Sequence, residues 1–209
     1  MVKELAWDME FSMRSKIQSL NDQASKLNEI EDEDHRDHLS ETFSEEYFSY
    51  TTEWIPLMRE SLLLSICSSF EYHLERLSSS YGRACVSTFK VGDMKDRGIT
   101  RSRKYMIRLG VEEAAFGTAW RSLGEVYKVR NRIAHAGSIS DEEAQKAIKS
   151  RSDIFEQGDV NDYTIKIKED GIKKVCDLMQ QALRDINNRL FAPMPEKAEA
   201  EQAVDGNPR

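Results

Sequence analysis

The fold is decided by residues 55–82, "IPLMRESLLLSICSSFEYHLERLSSSYG", in which apolar side chains return every three or four positions. This spacing is typical of one buried face of an α-helix. The stripe consists of Leu63, Ile66, Cys67, Phe70, Leu74, Leu77 and Tyr81. Pro56 is tolerated in a first helical turn, and Gly82 is suited to end a helix. The segment therefore predicts one long, deeply packed helix over about 55–81.

Two further segments have the same period. Residues 115–136 form a second strong pattern, which Gly137 closes, and residues 170–191 form a third. The third stripe contains Ile172, Val175, Cys176, Met179, Leu183, Ile186 and Leu190. A smaller basic helix is expected from about Thr100 to Leu109. Together these segments predict an all-α fold, a compact helical bundle built on three core helices.

The N-terminal third is expected to be a helical extension of that bundle. A helix is predicted from residue 2 to about 30, and the acidic run at 29–38 interrupts it before helical character resumes. We therefore divide the chain into an extension (1–51), the bundle (52–191) and a tail (192–209). The tail has almost nothing to bury, so we expect it to be disordered.

Two shorter features lie between the second and third core helices. Ser140 stands three residues before Glu143, the arrangement of a capping box at the start of a short helix. "NDYTIKIKEDG" (161–171) alternates like a strand, but the sequence offers no evident partner. We interpret it as an extended connection.

Length and composition exclude several classes of protein. A chain of 209 residues can bury a core without disulfides or a structural metal. Its three cysteines are far apart and odd in number, which fits a reducing compartment. The N-terminus has charges where a signal peptide needs an apolar run, and the stretch around "SLLLSIC" is too short to span a bilayer. We expect a cytoplasmic protein with no membrane partner and no cofactor.

The charge is unevenly distributed. The chain carries a net charge of −7, yet residues 83–132 hold 12 Lys and Arg against 5 Asp and Glu. This basic island can be a solvated helix face or a nucleic-acid contact. If it binds RNA, the candidate side chains are Arg101, Arg103, Lys104, Arg108 and Lys128.

The second core helix ends in "YKVRNRIAHAG" (127–137), which combines an arginine, an asparagine and a histidine. A helical wheel centred on Phe116, Trp120, Leu123, Tyr127 and Ala134 puts Arg130 about 40° from the stripe centre. Asn131 and His135 share the other edge as an i, i+4 pair, and Arg132 faces water.

These residue types suit phosphate chemistry. An arginine beside an apolar interface offers a permanently charged fork for phosphate oxygens, and a histidine can move protons near neutral pH. They suffice for RNA cleavage in which the substrate's own 2′-OH attacks the phosphate. The alternative is structural: Arg130 pairs with a carboxylate of another helix, and His135 faces the negative end of its own helix.

The segment "RNRIAH" (130–135), with its preceding apolar helix, resembles the RNxxxH signature of the HEPN (higher eukaryotes and prokaryotes nucleotide-binding) superfamily. Residues 61–77 are similar to the long helix that precedes this signature, and the resemblance covers about 52–191. It implies a helical bundle that often dimerises with the signatures facing each other. Many such proteins are metal-independent endoribonucleases that act as toxins or in antiphage defence.

The resemblance also assigns roles. Arg130 and His135 would be catalytic, Asn131 would assist them, and Glu71 on the preceding helix would border the cleft. An ion pair between Glu71 and Arg130 is the structural alternative. We therefore expect a homodimeric endoribonuclease acting on RNA, with a possible antitoxin or regulatory protein as partner. The competing hypothesis is a non-catalytic HEPN-like module for dimerisation or protein interaction.

We expect no metal site. His35 and His38 stand three residues apart in "HRDH", but we interpret this acidic run as a solvated face. The chain has no Walker loop, no GxGxxG motif and no nucleophile elbow.

Overall fold

A computed structural model of the protein describes residues 2–137, 139–158 and 164–190. Over these ranges the chain forms seven α-helices and one antiparallel pair of short strands, which confirms the all-α class. None of the described helices is long and apolar enough to cross a membrane. The tail predicted at 192–209 lies outside the described residues. The elements are α1 (Val2–Ser25), α2 (Glu33–Ser49), α3 (Ile55–Ala84), α4 (Gly98–Arg108), α5 (Thr118–Ala136), α6 (Glu142–Ser150), β1 (Phe155–Gln157), β2 (Ile165–Ile167) and α7 (Gly171–Leu190).

The three predicted core helices are confirmed as α3, α5 and α7. Helix α5 lies between the other two and packs against both. The centre of the core consists of side chains with no exposed surface: Leu63, Leu74, Leu123, Val126, Val129, Ile172, Val175 and Ile186. Each of these lies on the apolar face of its helix, so burial of these faces holds the bundle together.

The buried face of α5 differs from the predicted wheel. Ala134 is exposed, and Phe116 precedes the first residue of the helix. Val126, Val129 and Ile133 are buried instead, because α5 is covered on one side by α3 and on the other by α6 and α7. A helix enclosed from several directions buries a wider face than a single stripe predicts.

Helices α1 and α2 form a hairpin at the N-terminus, in the region predicted to be a helical extension. Helix α2 begins inside the acidic run, where the Asp32 side chain accepts a hydrogen bond from the backbone N–H of His35. Lys16 and Glu46 join the two helices through a 2.7 Å ion pair. Ala6 and Met13 of α1 belong to the same hydrophobic core as the bundle.

Helix α2 runs into α3 through a π-helical turn at Tyr50–Trp54. The Thr51 hydroxyl donates to the Tyr47 carbonyl at 2.7 Å, and the Thr52 hydroxyl donates to the Phe48 carbonyl at 2.6 Å. A π turn holds one more residue than an α turn. The chain is therefore helical without a break from Glu33 to Ala84.

A buried ion pair ties α1 to α3. Arg59 donates from Nε and Nη2 to the two carboxylate oxygens of Glu10, each at 2.8 Å. Its Nη1 also donates to the Ile167 carbonyl of β2 at 3.3 Å. Only 16% of the Arg59 side chain and 7% of the Glu10 side chain are exposed. One guanidinium thus connects three elements.

Close packing against α3 holds α4 in place. The buried Tyr105 of α4 lies against Gly82, where an added Cβ would come within 2.0 Å of the phenol oxygen. The Tyr105 hydroxyl donates to the Phe89 carbonyl at 3.1 Å. This approach positions the first turn of α4 beside the middle of α3.

Two predictions for the segment before α7 are wrong. Asp141, not Ser140, caps α6, because its side chain accepts from the backbone N–H of Ala144 at 2.8 Å. The alternating segment does have a partner: β2 pairs with β1, with Phe155 opposite Ile167. Residues 161–163 of that segment lie outside the described residues.

A candidate active site

A cleft of about 590 Å³ opens between α3, the first turn of α4 and the second half of α5. Three of the four predicted catalytic or auxiliary residues come from α5 and the fourth from α3, and all four line this cleft. The lining residues are Glu71, Arg97, Gly98, Ile99, Thr100, Gly124, Tyr127, Lys128, Arg130, Asn131 and His135.

Arg130 is held by neutral groups only. Its Nη2 donates to the Ser68 hydroxyl at 3.1 Å, and its Nη1 donates to the side-chain oxygen of Asn131 at 3.0 Å. The Nε is buried without a hydrogen-bond partner, and no carboxylate oxygen of the described residues lies within 4.0 Å of the guanidinium. The structural alternative for Arg130, an ion pair with another helix, is therefore not seen in this part of the chain.

The Ser68 hydroxyl is oriented by its own helix. It donates its proton to the Leu64 carbonyl at 2.8 Å, which leaves its lone pairs to accept from Arg130. Together with Asn131, Ser68 fixes the plane of the guanidinium. A fixed fork that is not engaged in an ion pair is suited to bind an anion with two oxygens.

His135 lies in the last turn of α5, and its side chain is exposed to the cleft. The helix ends two residues later at Gly137, whose φ of 62° is unfavourable for residues with a Cβ. Asn131 precedes His135 by one turn and lines the same wall, as the wheel predicted.

Glu71 faces Arg130 and the first turn of α4 across the cleft. Burial raises the pKa of its carboxyl group, while the nearby Arg130 and Arg101 act in the opposite direction. A Cβ on Gly98 would lie 3.4 Å from the Glu71 carboxyl carbon, so the carboxyl group lies directly beside that backbone. The predicted alternative, an ion pair between Glu71 and Arg130, is not formed among the described residues.

The floor of the cleft is a fixed hydrogen bond between α5 and α3. The Tyr127 hydroxyl donates to the Cys67 carbonyl at 2.9 Å. Burial raises the pKa of the Cys67 thiol to about 12 and raises the pKa of Tyr127 as well. Neither group ionises near neutral pH, so both serve as support rather than as acids or bases.

Most of the predicted RNA-binding cations are already paired. Arg101 binds Glu75 at 2.6 Å, Lys104 binds Asp96 at 2.8 Å, and Arg103 pairs with Glu113. Arg108 lies over the Phe89 ring, 4.6 Å from its centroid. None of these four lines the cleft.

Lys128 is the fifth predicted cation, and it does line the cleft. It pairs with Glu125 at 3.1 Å on its own helix, with 43% of its side chain exposed. An exposed pair of this kind is weak and can exchange its partner for a phosphate.

Arg132 is not the solvated residue that the wheel predicted. Its Nε donates to the Ile139 carbonyl, and its Nη1 pairs with Asp141 at 3.3 Å. Arg132 therefore holds the segment after α5 against the helix, and it is absent from the walls of the cleft.

Sequence reasoning missed Ser68, Arg97 and the backbone of Gly98. Ser68 lies 62 residues before Arg130, and only the packing of α3 on α5 brings them together. Arg97 immediately precedes α4 and enters the cleft with it. The positive charge of the basic island was visible in the sequence. Which of its basic side chains face the cleft depends on how α4 packs against α3.

Comparisons with protein-family models, with characterised proteins and with solved structures give no significant match for this chain.

Proposed function

We propose that the protein is a metal-independent endoribonuclease of the HEPN type. The observation that carries the proposal is the state of Arg130, a partly buried cation without a carboxylate partner in the described chain, in one cleft with Asn131 and His135. A cation in a cavity that makes no ion pair can take an anionic ligand. A phosphodiester supplies that charge, and the neighbouring histidine supplies proton transfer.

The reaction needs no nucleophile from the protein. The 2′-oxygen of the substrate forms a bond to the adjacent phosphorus as its proton leaves, and the bond from phosphorus to the 5′-oxygen breaks as that oxygen takes a proton. The products are a 2′,3′-cyclic phosphate and a 5′-OH end. Arg130 stabilises the charge on the pentacoordinate phosphorane, which is a transition-state role.

Two proton transfers require two groups. His135 is exposed in the cleft and suited to accept or donate near neutral pH. Glu71 is the second candidate, because its carboxyl group lines the same cleft as His135 and burial raises the pKa of that group. A second copy of the chain, as the family resemblance implies, is the other possible source of such a group.

We further propose that the enzyme is a cytoplasmic homodimer and that an antitoxin or another regulatory protein restrains its activity. Arg97 and Lys128 at the walls of the cleft favour a polyanionic substrate despite the net charge of −7.

The direct experiment incubates RNA with the full chain in EDTA and analyses the ends of the products. We expect 2′,3′-cyclic phosphate and 5′-OH ends. Arg130→Ala should lower the rate by about 10² to 10³-fold, and His135→Ala by about 10² to 10⁴-fold. Arg130→Lys should not restore activity, because an ammonium cannot reproduce the two-pronged contact.

Arg121→Ala and His38→Ala are the matched controls. Arg121 is exposed on the same helix as Arg130, His38 is exposed on α2, and neither lines the cleft. Both controls should cut as the parent does. Equal cutting by the parent, Arg130→Ala and His135→Ala would refute the proposal, and a folded parent without any cleavage would favour the non-catalytic module.

A further inference from the structure

An exposed aromatic residue, Tyr72, directly follows the cleft residue Glu71 on α3. Tyr72 keeps 58% of its surface exposed. Arg76 lies over its ring at 5.7 Å from the centroid, and the His73 ring meets it edge-on at 5.3 Å. An exposed ring with an arginine over it offers a π-face and a positive charge at the same place.

The position of Tyr72 relative to Arg130 follows from α3. Tyr72 is four residues after Ser68, which accepts the hydrogen bond from Arg130. In an α-helix this separation is about 6 Å along the axis and about 40° around it, so both side chains lie on the same side of the helix. The Tyr72 ring is thus one helical turn from the residue that holds the proposed phosphate-binding arginine.

We propose that Tyr72 is a stacking site for a nucleobase of single-stranded RNA, next to the phosphate site at Arg130. This inference rests on the proposed function and adds how the substrate is held. Aromatic rings bind bases of any sequence, because every base has a π-face. Arg76 contributes a positive charge at the same place, which fits a nucleotide better than an apolar protein partner.

The site predicts a preference for single strands. A base in a duplex is stacked on its neighbours and does not offer its face to a side chain. Tyr72 adds affinity without touching the reacting atoms, so Tyr72→Ala should raise KM for short RNAs and leave kcat close to that of the parent.

The test uses two strands that cannot be cleaved: a labelled oligo(dT) and a fully abasic deoxyribose-phosphate strand of the same length. Binding is measured by fluorescence anisotropy at fixed salt. The parent should bind oligo(dT) at least about 5-fold more tightly than the abasic strand. Tyr72→Ala should lose this preference, whereas Tyr72→Phe should keep it.

Tyr47→Ala is the control, because Tyr47 is an exposed tyrosine (41%) on α2, a helix that contributes no residue to the cleft. It should keep the preference of the parent. Arg130→Ala should bind both strands more weakly and still prefer oligo(dT), because it removes a phosphate contact rather than a base contact.

Four results would overturn the stacking site. The first is a Tyr72→Ala variant that still prefers oligo(dT). The second and third are a parent that binds the two strands equally well and a parent that binds neither. The fourth is a Tyr72→Ala variant whose oligomeric state changes while its preference for oligo(dT) does not. A parent with the predicted preference but no RNA cleavage would refute the nuclease and leave the stacking site standing. The two proposals can therefore fail separately.

Discussion

Among substitutions that remove one partner of an ion pair in the described chain, we expect Arg59→Ala to be the most destabilising. The substitution leaves the Glu10 carboxylate, whose side chain is only 7% exposed, without either of its two 2.8 Å hydrogen bonds. Removing one partner of a buried pair costs about 3–5 kcal/mol, because the other charge stays buried and unpaired. For a chain of this size that loss lowers Tm by roughly 6–20 °C.

The double variant Arg59→Met, Glu10→Leu separates charge from packing. It leaves no buried charge, and only the Ile167 carbonyl loses a donor. A carbonyl without its partner costs about 1–3 kcal/mol, partly offset by the new apolar contacts. The double variant should therefore be more stable than Arg59→Ala.

Urea unfolding followed by far-UV circular dichroism measures these differences. Arg14→Ala is the control, since Arg14 of α1 is 49% exposed and pairs with Glu169 at 2.6 Å and with Asp170 at 3.2 Å. Each of these exposed pairs should contribute at most about 1 kcal/mol. If Arg59→Ala is no less stable than Arg14→Ala, or if the double variant is as unstable as Arg59→Ala, the reasoning from the unpaired charge is wrong.

Three further predictions concern the cleft and its supports. Because burial raises the pKa of Glu71, the folded protein holds the proton of this carboxyl group more tightly than the unfolded chain does. The contribution of Glu71 to folding stability is therefore fully present below pH 4.5 and is lost as the pH rises through its folded pKa. Glu71→Gln should therefore be more stable than the parent above pH 4.5 and equally stable below it. The urea midpoints of the two proteins, measured at each pH, test this expectation. Gly82→Ala should cost about 1–3 kcal/mol in the same assay, because its Cβ would overlap the Tyr105 hydroxyl. Of the three thiols, exposed Cys85 should react with Ellman's reagent within the mixing time, while buried Cys67, with a pKa of about 12, and buried Cys176 should react only on unfolding.

The long helices could be predicted because their apolar residues repeat over five or more turns. Helices α3 and α7 agree with the predicted bounds within three residues at each end, and Gly137 ends α5 as expected. The strands could not be predicted in the same way. The alternation around β2 was visible in the sequence, but β1 has only three residues, too few for such a pattern to stand out. It was therefore recognisable only through its pairing with β2.

The residues of the candidate site were also predictable mainly where they lie close together in sequence. Arg130, Asn131 and His135 are neighbours in sequence at the end of one helix. The wheel grouped Asn131 with His135 but put Arg130 on the other edge of the stripe, whereas all three line one cleft. Ser68 and Arg97 reach the cleft only through the packing of α3 and α4, a long-range property that local sequence does not encode. The cap of α6 was misassigned because Ser140 and Asp141 are adjacent and both residue types cap helices, and the Asp141 side chain makes the bond.

The π turn at Tyr50–Trp54 sets the rotational phase between the hairpin and the bundle. Each residue advances an α-helix by about 100°, so the extra residue of the turn rotates everything before it by about that angle relative to α3. With one residue fewer, the side of α2 that carries Glu46 would turn away from Lys16 while α3 kept its place in the core. Deleting one residue of this turn should therefore separate Lys16 from Glu46 and leave the cleft in place, because the residues that line the cleft all follow the turn in sequence.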